Sequence, residues 1–294
     1  MLKELIAYSG FSVTDVRSAK QPLISAFTSK IPGEQRSVFT HAYGDDNHLL
    51  ALPGGHGQNF YVLQDIYREL LAEGKRFVYL VNVDNLGNIP YPAYVAITAL
   101  TGCDGSFEFS YKSPIDIKGG ILVRNSKGSL TCKDIGAAIS SEEVRKAEDS
   151  GKPILFNCAT GLFNLTYLTE HLDCIINNLP LRVSEQHKDA GEYAQAEQIT
   201  WEIIGLMEHP TIIAVRKQDR FLAAKLLSES IMTTEASLFV PRLLKEHPYY
   251  HDFCDFSLTL EKGFHRLMKK SYGMTLQNDR WDPIALNTII DKFA

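Results

Sequence analysis

Residues 63–83 read LQDIYRELLAEGKRFVYLVNV, and this stretch decides the fold class. Leu63, Ile66, Tyr67, Leu70 and Leu71 recur at the i, i+3, i+4, i+7, i+8 spacing that puts apolar side chains on one helix face. Gly74 follows, where a helix commonly needs a left-handed residue to end. The next run, RFVYLVNV at residues 76–83, is short, nearly continuous in apolar residues and rich in valine and aromatics. That composition predicts a strand buried on both faces, as in a parallel sheet. Helix, short link and buried strand make half of a βαβ unit.

The pattern recurs downstream. KPILFN at residues 152–157 predicts another buried strand, and GLFNLTYLTEHL at 161–172 a helix with Leu162, Leu165, Leu168 and Leu172 on one face. QAEQITWEIIGLMEH at 195–209 predicts a further amphipathic helix, ended by Pro210, with TIIAV after it as a strand. Residues 107–130 are strand-like runs broken by Pro114, Gly119-Gly120 and Lys127-Gly128, which predicts antiparallel ribbons beside the main sheet. From about residue 234 the text turns helical and more charged, including LEKGFHRLMKK at 260–270. The expectation is an α/β fold with a mixed, mostly parallel sheet: a core over residues 1–233 and a small helical appendage over 234–294.

Bulk properties narrow the function classes. The chain has 294 residues, 45% hydrophobic and 22% charged, with a formal net charge of −5. No basic stripe marks a nucleic-acid surface. The five cysteines, Cys103, Cys132, Cys158, Cys174 and Cys254, show no C-x-x-C spacing, which argues against a disulfide framework or a zinc site. A reducing cytoplasm is the simplest setting. The opening MLKELIAYSG has no signal-peptide architecture, and no run reaches the eighteen or so apolar residues a membrane span needs.

Ligands of open α/β sheets bind at the carboxyl ends of strands. The strand RFVYLV, residues 76–81, leads into Asn82-Val83-Asp84-Asn85-Leu86-Gly87. A carboxylate there suits Mg²⁺ held against a phosphate, and an amide suits sugar hydroxyls. The same text is good turn chemistry, and on these residues alone the turn is the better reading. Pro53-Gly54-Gly55-His56-Gly57-Gln58 precedes a helix. Glycines there either admit a ligand close to the backbone or make a plain loop with an incidental histidine. Lys225, beyond the TIIAV strand, is either a phosphate-neutralising cation or a solvated surface lysine. His247 and His251 are four apart but separated by Pro248, which disfavours a shared metal face.

Taken in order, these segments resemble the UTP–glucose-1-phosphate uridylyltransferase family over roughly residues 52–232. The family's P-P-G-H-G-D loop reads PGGHGQ at 53–58, and its N-x-D-N-L-G-A reads NVDNLGN at 82–88. Its E-V-x-x-K-T-x-x-D-V-K-G-G reads EFSYKSPIDIKGG at 108–120, F-N-T-N-N-L-W reads FNCATGL at 156–162, Q-L-E-T reads QAEQ at 195–198, and R-F-x-P-V-K reads RFLAAK at 220–225. The resemblance implies a Rossmann-like nucleotidyltransferase core that forms UDP-glucose, or a related UDP-sugar, and pyrophosphate from UTP and a sugar 1-phosphate. It implies Mg²⁺ on Asp84, with Asp84 and Lys225 catalytic. It sets Gly55 against the nucleotide, His56 on the sugar phosphate and Asn82 toward the substrate, with Gly119, Gly120 and Asn157 shaping the sugar pocket. The NVDNLG text leans toward glucose.

The sequence also departs from the family. The glycine-rich L-N-G-G-L-G-T loop that cradles UTP phosphates has no counterpart before Gly54. Gln58 stands for an acid, Ala159 and Thr160 for two asparagines, and Ala223-Ala224 for Pro-Val. Three expectations follow: a longer protein, a partner chain that supplies the loop, or a non-catalytic, sugar-nucleotide-binding relative.

Overall fold

The structure, a computed structural model, describes residues 12–113, 116–126, 128–222, 250–278 and 280–282, with isolated positions at 224, 231, 233 and 246. Its strands are β1 (Leu23–Ser25), β2 (Phe27–Thr28), β3 (Ala51–Pro53), β4 (Phe77–Val81), β5 (Gly105–Tyr111), β6 (Gly120–Arg124), β7 (Leu130–Asp134), β8 (Leu155–Asn164), β9 (Leu181–Lys188), β10 (Gly191–Gln198), β11 (Pro210–Ala214), β12 (Thr275–Gln277) and β13 (Arg280–Asp282). Its helices are α1 (Asn59–Val62), α2 (Gln64–Ala72), α3 (Pro92–Thr101), α4 (Ser141–Asp149), α5 (Leu165–Asn178), α6 (Lys217–Arg220) and α7 (Tyr250–Lys270).

The main sheet runs β11-β5-β8-β6-β7, and β4 also pairs with β8. The fold is mixed α/β as expected, but its balance of pairings differs from the expectation of a mostly parallel sheet. Among the described strands of this sheet only β5 and β11 pair parallel, while β8 pairs antiparallel with β4, β5 and β6. The physical reason is the position of β8. It inserts between β4 and β5, which run the same way, and so turns each of their contacts antiparallel.

The stretch that decided the fold class folds largely as read. The α2 helix spans Gln64–Ala72, and Gly74 takes φ +84 while its N–H and that of Lys75 close on the Leu71 and Leu70 carbonyls. The following strand is shorter than the apolar run, ends at Val81 and is half-buried rather than buried on both faces. Among the described residues β4 pairs with β8 alone, which accounts for that exposure.

Three other expectations are corrected. Residues 107–111 are not in a ribbon beside the sheet but in β5, between β8 and β11, while β6 and β7 do form the antiparallel hairpin. The strand begun at KPILFN continues through Asn164, so its helix starts at Leu165, where the Asn164 side chain accepts from the Thr166 and Tyr167 N–H groups. Residues 195–198 are strand, not helix, because β10 pairs with β9 from Gly191↔Lys188 to Gln198↔Leu181. Alanine, glutamine and glutamate favour helix only weakly, and cross-strand pairing overrides them. Residues 200–206 then form a 3₁₀ turn whose Thr200, Trp201, Glu202, Ile203 and Ile204 are buried, so it has no polar face.

The core lies between the sheet and the helices α1, α2 and α5. Phe60, Tyr67, Phe107, Phe109, Phe163, Leu165, Leu168, Leu172 and Ile175 are almost fully buried in it. A smaller sheet, β2-β10-β9, covers a separate cluster of Ala26, Phe39, Leu50 and Tyr193. Part of the expected C-terminal helical segment is α7, whose Leu260 and Leu267 pack with Leu222, Leu86 and Ile89; β12 and β13 form a hairpin after it. The boundary expected at 233/234 falls where most residues lie outside those described. Among the described residues no helix is long and apolar enough to cross a membrane.

Candidate functional site

The sheet splits along one edge of β8. On that edge β4 pairs from Asn164 back to Thr160, and β6 pairs only at Phe156. Between them Asn157, Cys158 and Ala159 face no strand on that side. On the other edge the register with β5 slips between Phe107↔Gly161 and Phe109↔Asn157, so β8 bulges there. Ala159 sits in the bulge at φ +51, a conformation L-residues rarely hold and one that strain-bearing functional segments often use. The Asn157 Oδ1 accepts from the Ala159 N–H at 2.8 Å and so fixes the bulge.

Asn82 and Asp84 lie on the loop that leaves β4 beside this split. Asn85 is the centre of that loop and is buried. Its Oδ1 accepts from the N–H groups of Gly87 at 3.0 Å and Leu222 at 2.8 Å, and its Nδ2 donates to the Arg220 carbonyl at 3.0 Å. The Leu86 N–H donates to the Leu222 carbonyl, and the Ala224 N–H to the Asp84 carbonyl at 2.8 Å. A Cβ on Gly87 would come within 2.5 Å of the Arg220 backbone, so glycine is needed where the two segments cross. The NVDNLG and RFLAAK segments are therefore stapled side by side. Lys225 itself lies outside the described residues, but Ala224, its neighbour in sequence, is bonded to Asp84.

Gly119 and Gly120 flank the split from the β6 side. Gly119 takes φ +125, and a side chain there would strike the Phe156 ring. A Cβ on Gly120 would lie 2.5 Å from the Cys132 Sγ and 3.2 Å from the Asp134 Oδ1. Two polar groups here lack partners. The Asn157 Nδ2 is buried without a hydrogen bond, and because Oδ1 is engaged, the amino end is the one left over. The Asp134 carboxylate accepts no hydrogen bond among the described residues. Burial, with Glu202 and Glu197 close by, pushes its pKa up from 3.8 to about 6, against the pull of Arg182. Arg182 donates to both oxygens of Glu202, from Nη2 to Oε1 at 2.8 Å and from Nε to Oε2 at 3.2 Å. Burial also raises the Glu197 carboxyl above the usual range.

The Gly55 loop reaches this region through Glu197. A Cβ on Gly55, at φ +84, would run into the Gln198 carbonyl and lie 2.9 Å from the Glu197 Cβ, and the Gln198 N–H donates to the Gly54 carbonyl. These glycines let two backbones meet. His56 turns toward Thr200, whose N–H donates to Nδ1 at 3.1 Å, which leaves Nε2 as the protonated nitrogen. Asn82, Asp84, Gly119, Gly120 and Asn157 are thus gathered about one split, Gly55 is tied to it through Glu197, and His56 is held at its far side by Thr200.

Asp134, Glu197 and Asn85 escaped the sequence reading. Asp134 ends β7, so the strand-end rule that picked out Asp84 finds it too. Glu197 was hidden by the helix assigned to residues 195–209. Among the described residues no cluster of three or more His, Cys, Asp or Glu could hold a metal. The single carboxylate of Asp84 still fits Mg²⁺, which takes one or two protein carboxylates and completes its shell with phosphates and water.

Comparison with known proteins gives a consistent picture. The sequence model described as UTP–glucose-1-phosphate uridylyltransferase matches residues 19–250. A protein of that name from Encephalitozoon cuniculi is 26% identical over 200 residues, 67% of this chain and 40% of that protein. UTP–glucose-1-phosphate uridylyltransferase 2 of Dictyostelium discoideum is 30% identical over 150 residues, 46% of this chain and 28% of its own. The chain spans less than half the length of the curated relatives it matches. In fold it is similar to a point mutant of the Leishmania major UDP-glucose pyrophosphorylase, solved in complex with UDP-glucose, with a TM-score of 0.62, 20% identity, and coverage of 79% of this chain and 52% of that one. The Trypanosoma brucei UDP-glucose phosphorylase gives a TM-score of 0.55 at 21% identity, covering 62% of this chain and 42% of that one.

Proposed function

The chain belongs to the UTP–glucose-1-phosphate uridylyltransferase family, and from that premise we propose that it carries the sugar-binding half of a UDP-glucose-forming site. The observation that carries the reading is the pair of unpartnered groups beside Gly120. The Asn157 amino group is a donor and the Asp134 carboxylate an acceptor without partners among the described residues, and atoms of both side chains lie within 3.4 Å of where a Gly120 Cβ would stand, which is the donor–acceptor pair a sugar hydroxyl takes.

In the reaction, a phosphate oxygen of glucose 1-phosphate attacks the α-phosphate of UTP, and pyrophosphate leaves. No covalent intermediate forms on the protein, so its work is positioning and charge neutralisation. Asp84 holds Mg²⁺, which neutralises charge on the phosphates when bound. Lys225, one residue beyond the staple to Asp84, supplies a second positive charge. Asn85 fixes the relation between the two segments, and Asn82 faces the substrate. His56 contacts the sugar phosphate through Nε2, and Gly55 lies against the nucleotide. Gly119 shapes the sugar pocket.

The test is pyrophosphate release from UTP and glucose 1-phosphate, with Mg²⁺, by wild type and Asp84→Asn. The proposal expects release by the wild type and near-complete loss in the variant. Release unchanged in Asp84→Asn contradicts it. A second reading, sugar-nucleotide binding without transfer, is favoured by Gln58, Ala159 and Thr160, which stand where the family pattern has an acid and two asparagines. It expects UDP-glucose to bind and no pyrophosphate to appear.

A further inference from the structure

A cavity of about 400 Å³ opens between α3, α6 and α7, with Tyr91, Tyr94, Arg216, Asp219, Arg266 and Lys270 in its wall. No residue assigned above to the sugar site lines it. It sits beyond Ala214, at the carboxyl end of β11, where open α/β sheets receive ligands.

Its electrostatics are one-sided. Asp219 is the only acid among the described residues that line it, and it is shared by Arg216, at 3.2 Å, and Arg266. Lys270 has no ion-pair or hydrogen-bond partner among the described residues. Arg220 is neutralised from behind by Glu108. Two positive charges therefore remain without a counter-ion in a concave wall, which concentrates their field on whatever enters. The Arg266 Nε is buried with no hydrogen-bond partner, although guanidinium groups seldom leave a buried donor unused.

The seat is built rather than incidental. Arg266 and Lys270 are four residues apart, so they project from one face of α7. That helix is held against α6 at Gly263, where a Cβ would overlap the Gln218 carbonyl. Only glycine permits so close an approach. The α7 helix begins where the family match ends, at residue 250, so this wall belongs to the part of the chain that the family match does not cover.

We propose that this cleft binds a phosphate-class oxyanion, free or carried on a small molecule, separately from the sugar-nucleotide site. Arg216, Arg266 and Lys270 supply the cations. Tyr91 and Tyr94 offer ring faces to an attached organic group.

Inorganic phosphate and phenyl phosphate are titrated calorimetrically at low ionic strength, with Mg²⁺ present, into the wild type, Asp84→Asn, and the double variant Arg216→Gln/Lys270→Gln. Both substituted side chains of the double variant are exposed, so the fold is kept. Wild type and Asp84→Asn bind alike, and the double variant binds at least about tenfold more weakly. Binding of both probes means that the oxyanion suffices; binding of phenyl phosphate alone means that the organic group is needed, and each supports the site. No binding of either probe to the wild type overturns the proposal. So does binding that survives in the double variant or is lost in Asp84→Asn, which would move the anion to the sugar-nucleotide site.

Discussion

Replacing Asp134 with asparagine should make the protein more stable and less able to bind its ligand. In the folded chain the Asp134 carboxyl is pushed up from 3.8 to about 6, by burial first and then by Glu202 and Glu197. Folding therefore favours the protonated form. The stability this contributes is fully present below about pH 4 and is lost as the pH rises through about 6. The full difference, at about 1.4 kcal/mol per pH unit, is about 3 kcal/mol. Because Asp134 is only half-buried, water screens part of it, and about 2 kcal/mol is the expected realised penalty at pH 7.5. Asp134→Asn removes the charge and keeps the shape. Urea unfolding at pH 7.5 should show the variant about 2 kcal/mol more stable, read as a rise in the midpoint at an unchanged slope. At pH 4.5 the gain should shrink to about a third, since much of the wild-type penalty has not yet appeared. UDP-glucose binding should weaken in the same variant, the usual trade between a strained site and its function. A variant less stable than wild type at pH 7.5, or a gain equal at both pH values, would refute the reasoning.

Further outcomes follow from neighbouring contacts. Asn85→Ala should cost about 2–4 kcal/mol, because it strands the buried Gly87 and Leu222 N–H groups and the Arg220 carbonyl, and it should lower turnover as well by loosening the staple. Chemical denaturation measures the first and a pyrophosphate assay the second. Arg220→Leu should cost about 3–5 kcal/mol, because it leaves Glu108 buried and unpaired; adding Glu108→Gln should recover much of that loss in a double-mutant cycle. Gly55→Ala should cost more than about 1 kcal/mol, because φ +84 and the adjoining Gln198 carbonyl both oppose a side chain; its thermal midpoint tests this.

Some of the architecture was legible in the sequence because local text and tertiary fate agree. The Leu63–Leu71 face, Gly74 and the TIIAV strand each carry one period and one stop signal, and folding keeps them. Residues 195–198 were misread because glutamine, alanine and glutamate carry no strand signature. Their conformation is set by β9, whose pairing no local pattern announces. The length of β8 was hidden likewise, since Gly161–Asn164 reads as the start of an amphipathic helix until Asn164 is seen to cap one. At the site, Asp84 and Asn82 could be picked out at a strand end and Asn157, Gly119 and Gly120 through family motifs. What joins them is a split between β4 and β6 on one edge of β8, a fact of topology rather than of text. Asp134 is within reach of the strand-end rule, but its place at the site comes from β7, which sets it opposite Gly120.

The central claim is that Asn157 and Asp134 at this split hold the sugar of UDP-glucose. The direct measurement is calorimetric titration of UDP-glucose, with Mg²⁺, into wild type, Asn157→Ala and Asp134→Asn, each first shown to unfold cooperatively. The account predicts binding by the wild type and a loss of at least about tenfold in each variant. Wild-type affinity kept in both variants would contradict it and place the sugar elsewhere.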